Sequence, residues 1–127
     1  MSKSILRDKS YAFAVDAVKL CRSIQNVNRE FILTQQLLRS ATAIGALVHE
    51  AEFAQSAPDF ISKLSIALKE ANETKYWLRL STDSGLISNG DSLDHQQKCQ
   101  EIIALLVSII KTLKEKQRNY HPRASDS

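Results

Sequence analysis

The residues best suited to binding a metal lie in the stretch His49-Glu50-Ala51-Glu52. A zinc hydrolase motif of the H-E-x-x-H type needs a second histidine four residues after the first, so that both imidazoles project from one face of a helix. Phe53 stands at that position, while His95 and His121 are distant in the sequence. Because a metal site needs at least two or three convergent ligands, we predict no metal site.

Glu70 and Glu73 are the carboxylates whose spacing places them on one helical face. Acid–base catalysis needs two carboxyl groups whose environments separate their pKa values, and a di-iron bundle needs Glu-x-x-His in two helices. A second acid stands here where that histidine would be, so we interpret both groups as ion-pair partners at the surface. The expected pairs are Glu70 with Lys63 or Arg39, and Lys69 with Glu73.

The hydroxyl and thiol groups show no arrangement typical of nucleophilic catalysis. Ser40, Thr42 and Ser65 have no glycine-flanked elbow, and the chain has neither G-x-G-x-x-G nor G-x-x-x-x-G-K-[ST]. Cys21 and Cys99 lack a C-x-x-C partner, and both fall at apolar helical positions, which predicts buried free thiols. We therefore expect a protein that is not an enzyme and has no cofactor.

Four segments carry apolar residues at intervals of three and four, the spacing of amphipathic helices. The chain has only three Gly and two Pro, too few for the turns of a many-stranded fold. Ser56, Pro58 and Asp59 suit a helix start, and Gly85 suits a helix end. The four predicted helices cover about residues 11–25, 30–55, 58–83 and 93–117.

Short connections between four helices predict an all-α fold, an antiparallel up-down-up-down four-helix bundle. We expect one domain over residues 1–119 and a flexible polar tail over residues 120–127. Asn26 or Asn28 is the expected cap of the second helix, and Asp91 or Ser92 that of the fourth.

The stretch QLLRSATAIGALVHE at 36–50 is unusual because its centre has very small side chains. Small residues let a neighbouring helix come close, while the branched residues beside them supply buried area. We interpret the stretch as a packing face and not as a catalytic loop. Its helix-packing residues are Ala41, Ile44, Gly45 and Val48.

Positive charge is concentrated at the two ends of a chain whose net charge is +3. Such clusters suit phosphate contacts, although a solvated helix end is a common alternative. Tyr76, Trp77 and Phe60 raise the same choice between stacking on bases and ordinary packing, and we favour packing. The tentative nucleic-acid-binding residues are Lys3, Arg7, Lys9, Lys111, Lys114, Lys116 and Arg118.

The N-terminal stretch MSKSILRDKSYAF lacks an apolar core of the kind found in signal peptides. No run of about 18 apolar residues occurs elsewhere. We expect a soluble, cytoplasmic protein with no membrane association.

Four stretches resemble the four-helix bundle proteins known as products of 23S ribosomal RNA intervening sequences. They are YAFAV at 11–15, QLLRSATAIGALVHEA at 36–51, DFISKLSIALKEANETKYWLRL at 59–80 and SGLI at 84–87. The resemblance implies an antiparallel bundle that assembles as a ring-shaped homopentamer. The accessory protein of diversity-generating retroelements looks like a relative, and it binds nucleic acid and a reverse transcriptase. The resemblance implies no catalytic residues.

Two hypotheses of function follow. The first is a homo-oligomeric bundle, implied by the resemblance to be a pentamer, that binds RNA or DNA through its basic residues. The second is a scaffold or accessory subunit whose apolar helix faces bind another protein, with no role for nucleic acid.

Overall fold

The structure, a computed structural model, describes residues 2–119 as four α-helices. They are α1 (Ser2–Asn28), α2 (Ile32–Ala51), α3 (Ala57–Asp83) and α4 (Asn89–Arg118). The described residues contain no strand, so the predicted all-α class is confirmed. The tail predicted over residues 120–127 lies outside the described part of the chain.

The helices form a four-sided bundle in which each helix contacts its neighbours along the chain and α1 also contacts α4. The connections are too short to cross the bundle, so consecutive helices run antiparallel. The start of α1, the end of α4 and the α2–α3 turn therefore lie at one end, which we call the basic end. In agreement, Lys3, Ala54 and Leu113 line one shallow cavity.

The core is a stripe of buried side chains from all four helices. Phe13, Leu37, Leu64 and Leu106 are each at most 2% exposed. Burial of Cys21 and Cys99 confirms the prediction for the thiols, and burial raises the pKa of each to about 11. These thiols are protonated at neutral pH and serve as packing groups.

α1 begins at Ser2, nine residues before the predicted start at residue 11. The core stripe of this helix continues toward the N-terminus through Ser10 and Leu6, each 1% exposed. Ser10 fits this position because its hydroxyl donates a hydrogen bond to the carbonyl of Arg7, at 3.1 Å. A buried serine interrupts the apolar pattern, and this is why the first turns were missed.

The predicted caps of α2 are wrong because α1 continues through Asn28 and takes both asparagines into its last turn. Arg29 follows with a positive φ of 55°, the left-handed conformation that ends many helices. The Glu30 carboxylate then accepts hydrogen bonds from the backbone N–H groups of Ile32, Leu33 and Thr34, each at 3.0 Å. Glu30 thus has the role predicted for Asn26 or Asn28.

Two other boundaries differ from the prediction. α2 ends at Ala51 and not at residue 55, because the next N–H groups bond three residues back in tight turns. α4 begins at Asn89, where Ser88 caps it by accepting a hydrogen bond from the N–H of Asp91. The cap predicted at Asp91 or Ser92 is therefore wrong, and Ser92 lies buried with its hydroxyl 2.8 Å from that of Thr82.

Both ends predicted for α3 are present. Ser56 accepts a hydrogen bond from the N–H of Asp59, and the Asp59 carboxylate accepts one from Gln55. Gly85 has a φ of +83°, which a residue with a Cβ adopts only with strain.

Candidate nucleic-acid interface

The four predicted packing residues of α2 lie against the rest of the bundle. Ala41, Ile44 and Val48 are at most 4% exposed. A Cβ added to Gly45 would lie 3.3 Å from the carbonyl oxygen of Ser10, so α1 and α2 cross closely at this point. The small side chains of this stretch therefore allow a close helix–helix approach.

Arg7 and Lys9, two of the predicted phosphate-binding residues, contact carboxylates. The Lys9 Nζ lies 2.7 Å from Glu101 of α4. The Arg7 guanidinium lies 3.5 Å from both Asp8 and Glu52. These two cations are locally neutralised, which lowers their value as phosphate ligands.

Three cations of α4 lie together along a groove between α3 and α4. Lys111, Lys114 and Arg118 follow each other at intervals of three and four, and they line the groove together with Glu115. Its volume is about 380 Å³, and its apolar wall consists of Leu68, Val107 and Ile110. No ion pair of these three cations occurs within residues 2–119.

Lys3 and Lys116 complete the predicted set. The Lys3 Nζ lies 4.7 Å above the centre of the Phe60 ring, a cation–π contact that leaves its charge uncompensated by an acid. Lys116 is exposed on the last turn of α4 but does not line the α3–α4 groove. Both residues are at the basic end, so the structure brings together there cations from the two ends of the chain.

The expected ion pair of Glu70 with Arg39 is present. Glu73, which was expected to pair with Lys69, instead contacts the same Arg39. Arg39 lies 2.8 Å from Glu70 and 2.6 Å from Glu73, so it joins α2 to α3. The hydrogen bond from Arg39 is the main reason why the pKa of Glu73 lies below its ordinary value. Both acids are therefore ion-pair partners of one arginine, an arrangement that suits a structural link between α2 and α3 better than proton transfer.

The aromatic residues of α3 differ in exposure. Trp77 is half-buried against the core, with its indole N–H 3.5 Å from Glu73, while Tyr76 is 58% exposed. Their rings meet edge to face, with centroids 5.0 Å apart. Phe60 is also half-buried against the core, so packing accounts for Trp77 and Phe60 but not for Tyr76.

Sequence reasoning missed a groove between α1 and α2. It has a volume of about 790 Å³. Its lining consists of the small residues Ala14, Gly45 and Ala46, the rings of Tyr11 and His49, and the polar residues Arg7, Asp8 and Thr42. Tyr11 immediately follows the buried Ser10 and so lies one position off the buried face of α1. This position is the feature of the sequence that could have indicated an exposed aromatic residue here.

Within residues 2–119, no helix combines the length and apolarity needed to cross a membrane. The same part of the chain holds no cluster of three His, Cys, Asp or Glu side chains able to bind a metal ion.

The chain is similar to a crystallised protein of unknown function from Bacteroides thetaiotaomicron, assigned to the S23 ribosomal protein family. The two are 48% identical with a TM-score of 0.86, and the match covers 87% of this chain and 99% of the other. No curated protein matches the chain.

The model of the 23S rRNA-intervening sequence protein family matches residues 2–108. This match includes all of α1, α2 and α3 and the first two thirds of α4. Lys111, Lys114, Lys116 and Arg118, the cations in the last third of α4, lie beyond the residues that match the family. The matched residues and the four-helix architecture agree, and the chain belongs to the family of 23S rRNA-intervening sequence proteins.

Proposed function

We propose that this protein is a non-enzymatic, homo-oligomeric helical bundle that binds RNA or other nucleic acid through phosphate contacts at its basic end. The observation that carries the proposal is the row formed by Lys111, Lys114 and Arg118 beside an apolar groove. Phosphate contacts need cations that no carboxylate already neutralises, and these three meet that condition within the described residues.

The spacing of this row supports contact with an extended backbone. On an α-helix, intervals of three and four residues correspond to axial steps of about 4.5 and 6 Å. Flexible lysine and arginine side chains can reach neighbouring phosphates from such positions. Lys3, which belongs to α1, adds a further cation at the same end.

Self-association would multiply this charge. In the pentamer that the family resemblance implies, five copies of the row would act on one nucleic acid, and the summed field would exceed that of one subunit. The side chain of Val107, which is 48% exposed, supplies apolar surface for such contacts. The free, buried thiols are consistent with action in the cytoplasm, a reducing compartment.

The experiment is retention of labelled RNA on a filter over a salt series. We expect binding at low salt that weakens steeply as salt rises, since each phosphate contact releases condensed counterions. The variant Lys111→Glu/Lys114→Glu should lose most of this binding. Absence of binding at low salt, or binding indifferent to salt, would contradict the proposal.

The matched control is Lys19→Glu/Arg22→Glu, which reverses two exposed charges on the second half of α1, away from the basic end. It changes the net charge by the same amount. Equal losses in the two double variants would show that net charge alone matters, and the α4 row would then not be the site.

A protein-binding scaffold is the second candidate function. It is favoured by the turn between α1 and α2, where Val27 and Ile32 are 77% and 78% exposed and Phe31 is 41% exposed. Clustered apolar side chains at a surface are typical of protein contacts. If charge reversal at Lys111, Lys114 and Lys116 leaves co-purifying partners unchanged while Val27→Ser/Ile32→Ser removes them, this function replaces the first.

A further inference from the structure

We propose that the α1–α2 groove binds an unstacked base of a single-stranded nucleic acid whose phosphates lie on the cations of the basic end. The inference rests on the proposed function and adds the class of ligand, single strands in preference to duplexes. It follows from the lining of the groove, which pairs its arginine with a carboxylate and carries aromatic rings suited to stacking on a base.

Three of the residues that line the groove are small. Ala14, Gly45 and Ala46 put little side-chain bulk between a ligand and the two helix backbones. At Gly45 the helices are close, since an added Cβ would lie 3.3 Å from the Ser10 carbonyl oxygen. The volume of about 790 Å³ falls within the roughly 300–1,000 Å³ of small-molecule sites.

Aromatic rings from both helices line this groove. Tyr11 of α1 is 72% exposed, a large exposed fraction for an aromatic side chain. His49 projects from α2, and its ring meets that of the exposed Phe53 edge to face, with centroids 5.4 Å apart. Exposed rings beside a shallow slot are the usual stacking surface for the bases of single strands.

The charges of the rim decide which part of a nucleotide enters. The groove lining holds one cation, Arg7, and one carboxylate, Asp8. The Arg7 guanidinium lies 3.5 Å from Asp8 and also 3.5 Å from Glu52, which lies outside the lining, so its charge is compensated. A carboxylate such as Asp8 repels a phosphate, whereas it accepts hydrogen bonds from exocyclic amino groups of bases. The neutral, planar part of a nucleotide therefore suits this groove, and its phosphates suit Lys3 and the row on α4.

A duplex cannot satisfy both requirements, because its bases are paired and stacked inside the helix. A single strand can place a base in the groove while its backbone continues over the basic end. The groove lies between α1 and α2 and the row of cations between α3 and α4, on opposite faces of the four-sided bundle, so a strand that occupies both must pass around the basic end.

The test compares fluorescence anisotropy of a labelled 12-nucleotide single-stranded RNA with that of the same sequence in a 12-base-pair duplex. The wild-type protein should bind the single strand more tightly. Tyr11→Ala should weaken binding of the single strand by about 5- to 100-fold, the usual effect of removing one stacking ring. The same change should leave duplex binding unaltered, and Tyr11→Phe should retain the wild-type affinity.

Tyr76→Ala is the matched control, since Tyr76 is also an exposed tyrosine but lies on α3 outside the groove. It should bind both RNAs like the wild type. Equal affinity of the wild type for the two RNAs, or a Tyr11→Ala protein with unchanged single-strand affinity, would overturn the inference and leave the phosphate-binding function standing. Absence of binding to both RNAs would overturn both.

One further outcome identifies a different occupant. If Tyr11→Ala lowers the mass measured by light scattering without RNA, the groove holds a second copy of the chain and the inference is wrong. Because Tyr11 is largely exposed, the variant should fold normally, which thermal unfolding followed by circular dichroism checks.

Discussion

Gly45 shows why the centre of the stretch QLLRSATAIGALVHE has such small side chains. The backbone of Ser10 lies where a longer side chain would have to go, at 3.3 Å from the position of a Cβ. The sequence pattern indicated a packing role for this glycine, but it could not identify α1 as the neighbour. That assignment depends on the register between two helices, which spacing within one helix does not determine.

Gly45→Leu should destabilise the fold by about 1–3 kcal/mol or more, because the added atoms overpack a close helix crossing. Gly45→Ala should change the free energy of unfolding by less than about 1 kcal/mol, since the gain in helix propensity opposes a tight Cβ contact. Urea unfolding followed by circular dichroism measures both. An unaltered midpoint for the leucine variant would show that the crossing is not close.

Glu30 is a residue whose role only the structure reveals. Burial opposes its ionisation and is the largest single influence, but the hydrogen bonds from the N–H groups of Leu33, Thr34 and Ile32 together outweigh it and hold the pKa of Glu30 below its ordinary value. A carboxylate at the start of a helix also interacts favourably with the helix dipole. Sequence reasoning favoured asparagine caps because short side chains are the common choice at this position.

Glu30→Gln should therefore destabilise the protein at pH 7 by up to about 1 kcal/mol, because the amide keeps only one acceptor oxygen and loses the negative charge. A lowered folded-state pKa means that the stabilisation is present above the unfolded-state pKa and is lost as pH falls through the folded-state value. The difference in unfolding free energy between the two proteins should therefore shrink below about pH 4.5. A difference that is constant from pH 7 to pH 3 would contradict this role.

At the scale of helices, α2 and α3 are joined by polar contacts in addition to apolar packing. The Thr74 hydroxyl lies 2.9 Å from that of Ser40, and both side chains are fully buried. Outside this contact, Arg39 bridges Glu70 and Glu73. α1 and α4, which touch less extensively, are joined by Lys9 with Glu101 and by Lys98 with Asp16.

Thr74→Val should destabilise the protein by about 1–2 kcal/mol, because it removes the hydroxyl that donates to Ser40 or to the Glu70 carbonyl. Ser40→Ala should have a similar effect, and the double variant should lose less than the sum of the two. Chemical denaturation of the four proteins gives the coupling energy. Strict additivity would show that the two hydroxyls do not interact.

The existence of the four helices could be predicted from apolar spacing, but their limits could be predicted only in part. The ends of α3 followed from Ser56, Pro58 and Gly85, because capping and left-handed residues act locally. The first turns of α1 were missed because Ser10 is a buried polar residue whose partner is the backbone. The start of α4 was misplaced because three polar residues near Ser88 were equally good caps by type.

For the whole molecule, the antiparallel path of the chain determines where the positive charges gather. Lys3 and Arg118 are separated by almost the entire chain, yet the up-and-down order puts both at one end. The sequence shows where the basic residues stand, but it does not show which of them form ion pairs with carboxylates in the folded protein. Ion pairs such as that of Lys9 with Glu101 join residues 92 positions apart, and they depend on the final packing of α1 against α4.

The central claim is that copies of this chain assemble and together bind nucleic acid at the basic end. Size exclusion coupled to light scattering, run at low salt with and without single-stranded RNA, tests it most directly. We predict a protein mass that is a multiple of 14.3 kDa, fivefold if the assembly is a pentamer, and a larger mass when RNA is added. A particle of 14.3 kDa that does not change on addition of RNA would contradict the account.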